Sequence, residues 1–127
     1  MSKDIINSSN APEPIGPYSQ AVKAGGFLFL SGQVALKPGT GELVISDITA
    51  ETNQVMKNLE AVLSEAGLNF SHVVKSNIFL KEMSSFGEVN AEYGKYFEKD
   101  FPARETVAVK TLPKDVNVEI SMIALSS

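Results

Sequence analysis

Two side chains in the C-terminal third can do chemistry together: Arg104, in Phe101-Pro-Ala-Arg104, and Glu119, in Val118-Glu-Ile120. A guanidinium grips a carboxylate through two parallel N–H donors, and a neighbouring carboxylate can orient a water or take its proton. Val116, Val118, Ile120, Met122 and Ala124 alternate with Asn117, Glu119, Ser121 and Ile123, which is the period of a strand. Arg104, Thr106 and Ala108 alternate in the same way with Glu105, Val107 and Val109. Read as a hairpin, Val109 opposite Val116 and Val107 opposite Val118 brings the apolar faces together. Thr106 then faces Glu119, while Arg104 lies diagonal to Glu119 and opposite Ser121. This register predicts an arginine, a hydroxyl and a carboxylate clustered on the sheet face turned away from the helices. Such a cluster is either a structural ion pair at a subunit contact, the commoner arrangement, or a small anion site.

The rest of the inventory narrows the chemistry. The 127-residue sequence has no cysteine and one histidine, His72. Disulfides, thiolate metal sites and a cysteine nucleophile are excluded, and a Ser-His-Asp triad would have to run through His72. A lone histidine at a loop-to-strand junction reads better as a surface or capping group. Eleven basic against fifteen acidic residues give a formal charge of −4, which argues against binding nucleic acid through its phosphates. No apolar run reaches the roughly 18 residues of a membrane span, and Met1 to Pro14 lacks an apolar signal core, so a cytoplasmic protein without membrane association is expected. Gly16-Pro-Tyr-Ser-Gln-Ala21 holds Tyr18 in a constrained loop. Ser31-Gly-Gln33 puts Gly32 at the end of an apolar strand, where backbone could approach a ligand. Both patterns also serve ordinary packing.

These residues need a frame. The chain is the size of one domain, residues 1–127, with a core that needs no staples. Lys3 to Asn7 reads as a short edge strand, and Asn10 to Pro17 is turn-rich. Ser19 to Ala24 and Phe27 to Val34 flank Gly25-Gly26, a hairpin signal. Lys37 to Glu42 is a loop. Thr49 is the expected N-cap of a helix ending at Gly67, with Val55, Met56, Leu59, Val62, Leu63 and Ala66 as its core stripe. Val73 to Leu80 is a strand. Ser85-Phe-Gly-Glu88 fits a capping box opening a second helix, whose apolar face holds Phe86, Val89, Tyr93, Tyr96 and Phe97. Asn90 points with that face, either to tie down a loop or to serve a site at the helix flank. Arg104 to Val109 and Val116 to Leu125 complete an α+β fold with two helices on one face of the sheet. The second face then needs cover, which another copy of the chain could give.

Taken together, Gly16-Pro-Tyr-Ser-Gln-Ala21, Leu30-Ser-Gly-Gln33, Asn58-Leu59 through Gly67, Val89-Asn90-x-x-Tyr93, Phe101-Pro-Ala-Arg104 and Leu112-Pro-Lys-x-Val116 through Ile120 resemble the RidA family, also called YjgF. The likeness runs nearly the whole chain, in order and spacing. It implies a chorismate-mutase-like mixed sheet with two helices on one face, and a homotrimer with clefts between subunits. It implies no cofactor and no metal. The implied activity is hydrolysis of 2-imino acids, such as 2-iminopropanoate (from 2-aminoacrylate) and 2-iminobutanoate, to 2-oxo acids and ammonia. That reaction protects pyridoxal-phosphate enzymes. By the same resemblance Arg104 binds the substrate carboxylate and Glu119 is the acidic catalytic group. Tyr18, Gly32 and Asn90 join Arg104 in binding substrate. Thr106 stands where many members have cysteine, and can replace it if only the backbone N–H is used. The alternatives are a non-catalytic 2-oxo-acid-binding regulator and, less favoured by charge and histidine content, an RNA-cleaving translation inhibitor.

Overall fold

The computed structural model describes residues 2–126. Along the chain run β1 (Asp4–Ile6), β2 (Ala21–Ala24), β3 (Phe27–Gln33), α1 (Ile48–Glu65), β4 (Val73–Leu80), α2 (Phe86–Gly94), β5 (Ala103–Ala108) and β6 (Val118–Leu125). The strands form one sheet in the order β1-β2-β3-β6-β4-β5. β4 and β5 are parallel and the other pairs antiparallel, so the sheet is mixed. Gly25 and Gly26 turn β2 into β3 with φ of 59° and 83°, the left-handed pair that a two-residue hairpin needs and that a Cβ opposes.

Both helices lie on one face, as the sequence predicts. Val55, Met56, Leu59, Val62 and Leu63 of α1 are wholly buried in one core with Leu28, Val118, Ile120 and Met122 of the sheet and Val89 and Tyr93 of α2. Each such aliphatic side chain contributes about 1.5–3 kcal/mol. α1 ends where expected: Leu68 N–H donates to the Leu63 carbonyl at 2.9 Å and Gly67 N–H to that of Ser64 at 2.9 Å, a Schellman stop. Among the described residues, no helix is long and apolar enough to cross a membrane.

Three expectations are corrected. Asp47, not Thr49, caps α1: its backbone is extended and its carboxylate accepts from Ala50 N–H at 2.7 Å. Thr49 falls inside the first turn. Ser85 makes no capping hydrogen bond, because the 3-10 turn Met83–Ser85 runs directly into α2 and leaves Ser85 in helical backbone. The reciprocal cap is found instead at Asn69 and His72. There the Asn69 side chain accepts from Ser71 N–H at 2.9 Å and His72 Nδ1 accepts from Asn69 N–H at 3.1 Å.

The third correction matters most. β5 and β6 do not form a hairpin, because β4 lies between them. Ser76 pairs with Arg104 and Ile78 with Thr106 on one side of β4, and Ile78 pairs with Ile120 and Phe79 with Glu119 on the other. Alternation fixes which residues share a face but not which strand is the neighbour, and the Lys110 to Asn117 connection is long enough to carry the chain across β4. Arg104 and Thr106 therefore share the helix face with Ile78. Glu119 projects from the opposite face, where Ile5, Phe27, Phe29, Val107 and Leu125 stand exposed.

Candidate functional site

On the open face of the sheet, Glu119 sits in a cleft of about 550 Å³ with Ile15, Tyr18, Gly32, Val34 and Lys114. A β-bulge makes the space. Between Leu30, opposite Met122, and Gln33, opposite Ile120, β3 spends one residue more than β6. The bulge holds Gly32 against Glu119. A Cβ built on Gly32 would overlap the Glu119 carboxylate, so only glycine admits this approach. Burial raises the Glu119 pKa above the ordinary carboxylate value.

The loop carrying Tyr18 is nailed down from below. The buried Gln20 side chain donates to the carbonyls of Ser8 at 3.0 Å and Pro12 at 2.9 Å and accepts from Ser8 N–H at 2.6 Å. Ser31 Oγ donates to the Ser19 carbonyl at 2.6 Å, which ties the same loop to the bulge. Three prolines cannot build regular structure here, so side-chain hydrogen bonds hold the loop instead. Tyr18 itself stays half exposed.

On the helix face, Arg104 occupies a second hollow of about 390 Å³ with Asn90, Tyr93, Phe101 and Pro102. Its Nη1 donates to Asn90 Oδ1 at 2.8 Å. The guanidinium carbon lies 5.2 Å from the Tyr93 ring centroid and 5.7 Å from that of Phe86. Each such contact contributes roughly 0.5–2 kcal/mol and restricts the fork to one region. Tyr93 is fixed in turn: its hydroxyl donates to Ser76 Oγ at 2.9 Å, and burial raises its pKa. α2 is held to α1 by Asn53, which donates to Glu92 Oε2 at 2.9 Å and to Tyr96 OH at 2.6 Å. A hydrogen bond from Lys95 lowers the Glu92 pKa. Among the described residues, no carboxylate forms an ion pair with Arg104. Most of its donors thus remain for another acceptor.

The expected residues separate into two groups. Tyr18, Gly32 and Glu119 share one cleft, and Asn90 and Arg104 share the other. Thr106 is two residues beyond Arg104 on the same face, and its Oγ1 is buried without a partner. The expected cluster of Arg104, Thr106 and Glu119 on one face does not exist within a chain. Arg104 and Glu119 are three residues apart along β4 and two strand spacings across it, roughly 14 Å between Cα atoms, and they project oppositely. At the flank of α2 Asn90 accepts from Arg104. Phe86 and Tyr93 were legible as the neighbours of Asn90 on α2, but nothing in the spacing gave Arg104 as their partner. Lys114, in left-handed backbone at φ 57°, carried no such signal.

Comparison with known proteins is consistent along the whole chain. A family model described as endoribonuclease L-PSP matches residues 8–126. A RutC family protein of Pyrococcus horikoshii is 49% identical over 122 residues, spanning 96% of this chain and 97% of the relative. The crystal structure of the YjgF gene product from E. coli superposes with a TM-score of 0.92 at 40% identity, over 98% of this chain and 99% of that one. That of E. coli TdcF with bound serine superposes with a TM-score of 0.93 at 35% identity, over 98% and 99%.

Proposed function

The chain belongs to the YjgF/RidA family, and from that premise we propose that it is a hydrolytic deaminase of 2-imino acids working in clefts that neighbouring copies build together. One observation carries the reading. An arginine with donors to spare and a carboxylate with a raised pKa lie in separate hollows on opposite faces of one chain. Each hollow is half of a site. A homotrimer that seats the Arg104 face of one copy against the Glu119 cleft of the next would complete three sites. It would also cover the exposed Phe27, Phe29 and Leu125. The solved relative that holds serine supports a small α-substituted carboxylate as the ligand.

In this mechanism the Arg104 fork binds the substrate carboxylate and fixes the α-carbon. Backbone groups at Gly32 and Thr106 hold the imino nitrogen and a water. Glu119 accepts a proton from that water as its oxygen bonds to the C=N carbon. Protonated Glu119 returns that proton to nitrogen to give the carbinolamine; the carboxylate then relays the hydroxyl proton to nitrogen as the C–N bond breaks, releasing ammonia and leaving the 2-oxo acid. The raised pKa makes Glu119 a stronger base, which suits a group that must take a proton and return it. An imine is already electrophilic, so these groups suffice.

The test couples the protein to a threonine dehydratase and follows 2-oxobutanoate release. Acceleration at substoichiometric amounts is expected. Saturable binding of 2-oxobutanoate without acceleration would replace the enzyme by a sensor. The family model's description also names RNA cleavage. RNA degradation that persists through purification and vanishes in Arg104→Ala would favour that activity. Against it, the sole histidine is engaged in the Asn69 cap.

A further inference from the structure

Glu51 is a wholly buried carboxylate with no cation, since none of the ion pairs among the described residues includes it. Burying an ionised carboxylate is unfavourable by several kcal/mol unless hydrogen bonds replace its water. Three donors do so. Asn117 N–H lies 2.7 Å and Val118 N–H 3.2 Å from Oε2, and Asn117 Nδ2 lies 2.8 Å from Oε1. All three come from the two residues immediately before Glu119.

The end of β3 explains why the Val118 donor is free. Pairing of β3 with β6 ends at Gln33 and Ile120, so the start of β6 has lost its neighbour on that side. β3 thus stops just after the bulge that brings Gly32 to Glu119, and the Val118 N–H beyond its end donates to Glu51 instead. Glu51 can replace a strand because it sits on a rigid platform. It lies in the first turn of α1, capped by Asp47 and anchored by the buried Val55, Met56 and Leu59.

We infer that Glu51 is a positioning residue for Glu119: it clamps the backbone of Asn117 and Val118 so that the next side chain lies over Gly32 in the cleft. The clamp also holds the far end of the Pro113–Asp115 turn, whose Lys114 lines that cleft. No hydrogen bond joins Glu51 to Glu119 itself. The other titratable groups facing Glu119 in the cleft are Tyr18 and Lys114. The catalytic consequence rests on the deaminase reading, whereas the geometric one does not.

The experiment measures the Glu119 carboxyl titration by NMR, with kcat and KM, in the wild type and in Glu51→Ala, Glu51→Asp and Glu51→Gln. In Glu51→Ala the Glu119 midpoint falls toward the ordinary carboxylate value as the side chain reaches water. A displaced catalytic group lowers kcat by roughly 10- to 100-fold while KM, set by Arg104, stays within about twofold. Glu51→Gln keeps an acceptor for both backbone N–H groups and can meet the Asn117 amide, so it restores midpoint and kcat together. Glu51→Asp, one methylene short, falls between. If Glu51→Ala does not fold, the Asp and Gln variants decide. An unmoved Glu119 midpoint in the Ala and Asp variants, or a Gln variant as damaged as Ala, overturns the clamp. Absence of imine hydrolysis in the wild type overturns the deaminase reading, and the titration still decides the clamp.

Discussion

Arg104 and Glu119 bear opposite charges and are held by opposite means. Arg104 stands on an outer strand, flanked by two aromatic rings and one amide that orient its fork. Its charge is permanent, so the surroundings can only aim it. Glu119 stands on a central strand in a cleft whose burial disfavours its charge. Its surroundings set how readily it takes a proton. The difference separates an anchor from a base: one end of the proposed site fixes position, the other tunes protonation, and each is built on its own face of the sheet.

Substitutions should separate the two ends. Arg104→Ala is expected to have the largest effect. Removing the charged partner of a bound carboxylate lowers kcat/KM by about 100-fold or more, while loss of the two ring contacts and the Asn90 hydrogen bond lowers Tm by several degrees and leaves the protein folded. Arg104→Lys falls nearly as far, since a point charge cannot reproduce the fork. Steady-state kinetics beside thermal melts check both. Full activity in either variant removes the anchor.

Glu119→Gln should lower kcat by about 100-fold, the low end for a lost general base, while 2-oxobutanoate still binds. It should also raise Tm at pH 7. A raised pKa means that the folded state prefers the protonated form. Ionised Glu119 therefore destabilises the fold above its folded-state pKa, and the penalty disappears as pH falls below its ordinary value. The neutral isostere removes the penalty. The same shift puts the acid limb of the wild-type kcat/KM profile above the ordinary carboxylate pKa. A limb at or below that value would show that Glu119 is not the titrating base.

Gly32→Ala comes next. A methyl group there displaces the Glu119 carboxylate, and a tenfold or greater loss of kcat is expected on the order of a 1 Å misplacement. A crystal structure of the variant should show Glu119 swung away, and an unmoved carboxylate would contradict the close-approach argument. Asn90→Ala should be mildest. Arg104 loses one hydrogen bond but keeps both rings, so KM rises about two- to tenfold, as isothermal titration with 2-oxobutanoate would show. A larger loss would mean that the amide touches the substrate directly.

Much of this frame was legible in the sequence. The α1 stripe, the Gly25-Gly26 turn, the β4 boundaries and the inward face of β6 all follow from period and turn chemistry, which are local. The N-cap of α1 lies two residues before the one the sequence favours, because Asp47 and Thr49 offer similar acceptors and only backbone angles choose between them. Residue type marks both Arg104 and Glu119, but sequence order makes β5 and β6 look like neighbours when β4 lies between them.

Residue type and alternation determined which side chains can bind an anion or accept a proton, and which strand positions share a face. Tertiary structure alone decided that β4 would come between β5 and β6. That choice depends on how a sheet and two helices pack, a long-range sum that no segment encodes. It turned an apparent cluster into two hollows facing opposite ways, and it left a buried glutamate to take the place of the strand beyond the end of β3.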